Sequence, residues 1–153
     1  KRGRRKEQVL TPKECAALLS YCESHEPTLT QYPVLLMFAG IRPERAGPHI
    51  DWDDVTTDHI TVDASIAKDG ETRIIEPLTP NLVAWITFLK ERGAGRIVSL
   101  KKKWDIAKLA IGRKWPHDCL RHTYASYHFA MFKDAGVTAK NLGHPNPTLL
   151  RKD

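Results

Sequence analysis

No apolar run in this chain approaches the roughly 18 consecutive residues that a membrane-crossing helix needs, and no signal-peptide pattern opens it. Cysteine is scarce. Cys15, Cys22 and Cys119 are odd in number and show no CxxC spacing, which argues against a disulfide framework and for a reducing, cytoplasmic setting. GxxxxGK[ST], GxGxxG and HExxH are all missing, so phosphate-loop, dinucleotide and zincin chemistry have no support. His117, Cys119 and His122 match no common zinc spacing and lack an assignable fourth ligand. No carboxylate cluster suggests a two-metal nuclease. There are no internal repeats and no low-complexity tracts.

What remains is 153 residues, enough for one domain with a sizeable core. The formal net charge of +6 points to an anionic partner, of which nucleic acid is the commonest. Lys1 to Lys6 is basic at every position except Gly3, a solvated run able to touch phosphates. The chain opens on Lys1 and stops at Leu149-Leu150-Arg151-Lys152-Asp153, inside a helical pattern, so both ends read as cut from something longer.

Thr11-Pro12-Lys13-Glu14 is a capping box with proline at the first helical position, and predicts a helix to about Ser24. A second helix is expected from about Leu29 to Ala39, buried through Val34 to Phe38 and ended at Gly40. Arg42 stands just beyond it, where it could simply answer the helix dipole. From His49 to Leu78 the pattern becomes short strands. Ile60-Thr61-Val62 and Thr72-Arg73-Ile74-Ile75 flank Lys68-Asp69-Gly70, a hairpin signal with Lys68 near the tip. Tip lysines are usually solvated. Thr79-Pro80-Asn81 starts another helix to Arg92, closed by Gly93-Ala94-Gly95. Val98-Ser99-Leu100 leads into Lys101, Lys102 and Lys103, a candidate DNA-contacting patch or else a solvated helix start, with helix on through Ile111.

Trp115-Pro116 then reads as the start of the central helix, which carries Leu120, Tyr124, Tyr127 and Phe129 at roughly helical spacing. Arg121 and His122 lie about one turn inside it. An arginine there either snorkels to solvent or meets an anion. A short helix from Val137 to Leu142 precedes Gly143-His144-Pro145. Arg42, Lys68, Arg121 and His144 thus form a dispersed basic set whose chemistry suits displacement at a phosphodiester. Two arginines hold the non-bridging oxygens, a lysine protonates a leaving 5′ oxygen, and a histidine assists.

The ordered pieces Ala39-Gly40-Ile41-Arg42-Pro43-Glu44, Ala67-Lys68-Asp69-Gly70, Leu120-Arg121-His122-Thr123-Tyr124-Ala125 and Leu142-Gly143-His144 resemble the boxes of tyrosine recombinases, the phage-integrase family. The resemblance spans almost the whole chain from about Leu10. It implies an α+β, mainly α catalytic domain with a small antiparallel sheet. Residues 1–9 would be a linker from an N-terminal core-binding domain, and residues 10–153 the catalytic domain. Arg42 and Arg121 resemble the two catalytic arginines, Lys68 the hairpin lysine that acts as general acid, and His144 the residue that packs on the scissile phosphate. The implied partner is double-stranded DNA, held by a homotetramer of the intact protein, with the isolated fragment a monomer. The implied chemistry is a 3′-phosphotyrosyl link formed without ATP, metal or other cofactor.

Three departures accompany the resemblance. Asp118 occupies the register of the family's usual histidine, with His117 one position earlier as a substitute. Arg45 stands where the first box usually has glutamate. The nucleophilic tyrosine is expected nine or ten residues after His144, yet position 153 is Asp, and Tyr21, Tyr32, Tyr124 and Tyr127 fall elsewhere. This polypeptide is therefore expected not to cleave DNA by itself. A degenerate DNA-binding module and a type IB topoisomerase-like enzyme are the alternatives.

Overall fold

The computed structural model describes residues 8–44, 46–95 and 100–143. The basic run Lys1–Lys6, Arg45, Val98-Ser99, His144 and the stretch to Asp153 lie outside the described residues. The first helix that lies wholly among the described residues, α1, spans Pro12–His25 and opens as expected. Thr11 Oγ1 accepts from Glu14 N at 3.1 Å, and Glu14 Oε1 accepts from Thr11 N at 2.9 Å. A 3₁₀ turn, Pro27–Leu29, leads into α2, Gln31–Ala39, which is buried along most of its length because its residues are apolar on every side. The two strands β1, Ile60–Val62, and β2, Arg73–Ile75, pair antiparallel with Val62 opposite Arg73. Helix α3 spans Pro80–Glu91, and α4 spans Lys101–Ala107 before tightening to a 3₁₀ turn at Lys108–Ile111. The central helix α5 is Cys119–Phe132, and α6 is Ala135–Leu142. The mainly helical α+β architecture is as the sequence implied. Among the described residues, no helix is long and apolar enough to cross a membrane.

Two local expectations need correction. Pro116 does not open α5. The chain turns through His117 and Asp118, and Asp118 takes the left-handed conformation (φ 52°, ψ 31°) before the helix starts at Cys119. Lys68-Asp69-Gly70 is not a tight turn joining the two strands. Residues 63–72 connect them, because Asp63 Oδ2 accepts from both Ser65 N and Ser65 Oγ, and Asp63 O accepts from Ile66 N and Ala67 N. That coiled turn consumes the residues that would otherwise have lengthened β1.

Helix α2 packs on α5, which also packs on α6, and α3 packs on α2. The segment before α1 is fastened to α5. Leu10 N donates to the buried Thr123 Oγ1 at 2.9 Å, and Tyr127 Oη donates to Leu10 O. The tightest point is the end of α2. Gly40 has φ 72°, and a Cβ there would fall 2.6 Å from Tyr124 Cδ2 and 2.9 Å from Leu142 Cδ2. Both the backbone conformation and the space require glycine.

His128, 1% exposed, joins α5 to α6 and to the chain leaving β2. Its Nε2–H donates to Pro77 O at 3.0 Å, and Nδ1 lies 2.9 Å from Thr138 Oγ1. Burial pushes its pKa below the ordinary 6.5, against the opposing pull of the Pro77 carbonyl and Asp134. The unfolded chain therefore binds the extra proton first. Stability is full above pH 6.5 and falls as the pH drops below it toward the lowered folded value.

Two outcomes follow from this packing. Gly40→Ala is expected to cost about 2–4 kcal/mol, the sum of a left-handed residue and an overpacked contact, read as a lowered denaturant midpoint. Denaturant midpoints are also expected to decline from pH 6.5 to pH 5, and His128→Asn should flatten that slope whatever it does to the absolute stability.

Candidate phosphate-binding cleft

Arg121 is 6% exposed, and its guanidinium is held by backbone oxygens from two different helix ends. Nε donates to Gly40 O at 3.1 Å, and one terminal nitrogen donates to Leu142 O at 2.5 Å. The left-handed turn at Gly40 presents that carbonyl to Arg121 and carries the chain on to Arg42. Arg42 and Arg121 line the same cleft, of about 300 Å³, together with Asp118, His117, Glu44 and Tyr32. Among the described residues, no carboxylate comes within ion-pair range of either arginine. The snorkelling alternative for Arg121 is excluded by its burial.

Burial lowers the Arg121 pKa to about 10, helped by the like charges of Arg42 and Arg73, with Asp118 and Glu44 opposing. The group stays cationic at neutral pH, so the cleft keeps concentrated positive charge behind a low-dielectric wall. That arrangement suits an oxyanion with several acceptor oxygens, a phosphate above all.

Asp118 stands on the cleft wall with its carboxylate exposed, close enough to favour the charged form of Arg121. It does not cap α5, although its backbone oxygen receives the first helical bond, from His122 N at 3.2 Å. A left-handed aspartate costs about 1 kcal/mol or slightly more, and here it lines the cleft without a side-chain bond to the helix start. His117 is exposed on the same rim, and its backbone oxygen accepts from Gln8 Nε2 at 3.3 Å.

Lys68 is exposed in the loop of residues 63–72, and the cleft-lining residues do not include it. Its neighbour Asp69 is near enough to act on Arg73. His144 lies outside the described residues, but the chain entering it is defined. Gly143 closes α6 with φ 81°, one residue past the carbonyl that Arg121 binds. Lys101, Lys102 and Lys103 are exposed at the start of α4. Two of them are already paired, Lys101 with Asp105 at 3.1 Å and Lys103 with Glu26 at 2.7 Å, which weakens the patch as a phosphate contact.

Sequence reasoning missed two features. Trp104 and Trp115 meet edge to face at 5.5 Å and, with Tyr32 at 5.2 Å from Trp104, form an aromatic wall of the cleft. Tyr32 thus borders the cleft, but its hydroxyl donates to Pro43 O at 3.4 Å and burial pushes its pKa up to about 12. The second feature is Arg73. Its signal was the period-2 alternation of β2, which places Arg73 on the face of buried Ile75 and opposite to Ile74, 44% exposed. Tyr124 and Tyr127 are poor nucleophiles. Burial raises both pKa values, and each hydroxyl is engaged, with Asn141 Nδ2 at 3.0 Å and with Leu10 O respectively.

The same fold occurs in solved structures. The catalytic domain of bacteriophage HP1 integrase matches with a TM-score of 0.71 at 19% identity, over 94% of this chain and 84% of that one. XerA recombinase matches with a TM-score of 0.69 at 18% identity, over 94% of this chain and 56% of that one. A lambda integrase dimer bound to a COC′ core site gives 0.69 at 18% identity, over 92% of this chain and 59% of that one. This chain therefore spans a little over half the length of the last two. No protein-family model and no curated protein matches the sequence. At these identities the likeness is one of fold, and the fold is that of tyrosine recombinase catalytic domains.

An oxyanion in the cleft should stabilise the folded chain by mass action, by about 1.4 kcal/mol at ten times its Kd. Inorganic phosphate is expected to raise Tm in the wild-type chain, and the increment should disappear in Arg42→Gln. An equal increment in both would place the anion elsewhere.

Proposed function

We propose that this chain is the catalytic domain of a site-specific DNA recombinase of the integrase type, which cleaves and rejoins duplex DNA through a 3′-phosphotyrosyl link. The observation that carries the reading is the convergence of Arg42 and Arg121 on one cleft, without carboxylate partners among the described residues, inside this fold. The two guanidiniums hold the non-bridging oxygens of the scissile phosphate and offset the charge that grows in the pentavalent transition state. Arg121 is pre-fixed by two backbone acceptors, so little reorganisation accompanies the reaction. Arg42 is the more adjustable partner.

In this reading Lys68 protonates the departing 5′ oxygen from the hairpin loop, and His144 holds the phosphate. Asp118 takes the place of the usual histidine. Its carboxylate accepts the proton of the attacking hydroxyl or orients it, and its repulsion toward phosphate is offset by the neighbouring arginines. The attacking hydroxyl belongs to a tyrosine other than Tyr124 and Tyr127, whose hydroxyls are engaged inside the fold. The partner is double-stranded DNA, and the intact protein works as a homotetramer on paired sites. A non-catalytic DNA-binding module is the second reading, favoured by one observation, the acidic group of Asp118 on the cleft wall.

The test incubates the product of the complete reading frame with nicked suicide duplexes carrying its element's end sequence. A protein–DNA adduct that survives denaturation is expected. Replacing the attacking tyrosine with Phe should abolish it, and Arg42→Gln should slow its formation about 100-fold or more, as loss of a preorganised oxyanion contact does. Salt-sensitive DNA binding with no adduct on a verified end would select the binding module instead.

A further inference from the structure

Two arginines, not one, hang on the last turn of α6. Arg121 from α5 donates to Leu142 O at 2.5 Å, and Arg73 from β2 donates through Nε to Asn141 O at 3.0 Å. Those oxygens belong to consecutive residues, and the Arg73 charge is near enough to act on Arg121. The Arg73 head also lies against Gly143, where a Cβ would come 3.1 Å from one terminal nitrogen. Its Nε bond fixes the plane of the group, and its terminal nitrogens have no hydrogen-bond partner among the described residues. Arg42 completes the cluster, near enough to act on both of the other charges. Asp69 offsets Arg73 only from a distance, since no ion pair forms between them.

Three cations near enough to act on one another, none in contact with a carboxylate among the described residues, form a basic cluster suited to an anion. We propose that Arg73 is a third arginine ligand of the bound DNA phosphate, directed at it from the hairpin by its bond to Asn141 O. This rests on the recombinase reading above for the identity of the anion as a duplex phosphodiester. It adds a residue outside the four basic positions of that reading, and it gives the hairpin a direct hold on the substrate besides Lys68. A merely structural Arg73 would cap the end of α6 and contact nothing else.

Two measurements separate these roles. The first is the salt dependence of duplex binding for the wild-type chain, Arg73→Gln and Arg73→Lys, each with its thermal unfolding curve. Loss of one phosphate contact is expected to reduce the slope of log K against log salt by about 0.9 in Arg73→Gln, with Arg73→Lys keeping the wild-type slope. The second needs no variant. Phenylglyoxal modification of the wild-type chain, mapped by mass spectrometry, should label Arg73 in the free protein and spare it when duplex is bound. A wild-type slope in Arg73→Gln, or equal labelling of Arg73 with and without bound duplex, overturns the proposal and leaves the recombinase reading standing. Absence of salt-dependent duplex binding by the wild-type chain overturns that reading, and the Arg73 proposal falls with it.

Discussion

The burial of a guanidinium at Arg121 is the constraint on which the rest of this structure depends. A charged group removed from water needs hydrogen-bond partners, or its desolvation costs several kcal/mol. The usual compensation is a carboxylate, which would also cancel the charge. Here the acceptors are the neutral carbonyls of Gly40 and Leu142, both at helix C-termini, where the aligned peptide dipoles place partial negative charge. The cation is stabilised and still carries its net charge into the cleft.

That solution dictates the neighbouring residues. The end of α2 has to turn its carbonyl toward α5, which calls for a left-handed residue at position 40, and Tyr124 and Leu142 occupy the space a side chain would need. The end of α6 has to arrive at the same point, which Asn141 arranges. Its amide donates to Tyr124 Oη at 3.0 Å and to Glu76 O at 3.2 Å, while its Oδ1 accepts from Glu76 N at 3.4 Å. One side chain thereby joins α5, α6 and the chain leaving β2. Asn141 is wholly buried with its polar groups satisfied, so an apolar replacement of similar size would leave the Glu76 backbone groups without their partner.

Much of this was legible beforehand, for identifiable reasons. The helices declared themselves through Thr11-Pro12 and Thr79-Pro80 at their starts and Gly40 and Gly143 at their ends, because caps are local chemistry. Helical spacing placed Arg121 one turn inside α5 but left its depth open, because a long cation beside Leu120 and Tyr124 can equally snorkel to solvent. The start of α5 was misread because proline at a first turn is only a preference, and the left-handed Asp118 has no signature that propensity would reveal. Arg73 was readable from the parity of β2 yet passed over, since an arginine in a short strand is ordinarily solvated. The pairing of Lys101 and Lys103 was beyond reach for Lys103, whose partner Glu26 is distant in sequence.

The hairpin shows how far one helix controls the site. A two-stranded ribbon of three-residue strands is marginal in water unless something packs on it. Helix α6 supplies that support. Lys140 Nζ donates to Ile74 O at 3.0 Å, Arg73 Nε to Asn141 O at 3.0 Å, and Asn141 Nδ2 to Glu76 O, so Arg73, Ile74 and Glu76 are each tied to the last turn. The end of α6 thus contacts the hairpin and Arg121 at once, through residues 140–142. Lys68 rides on that hairpin, and Gly143 leads directly to His144. The end of α6 therefore supports both Arg121 and the hairpin that carries Arg73 and Lys68.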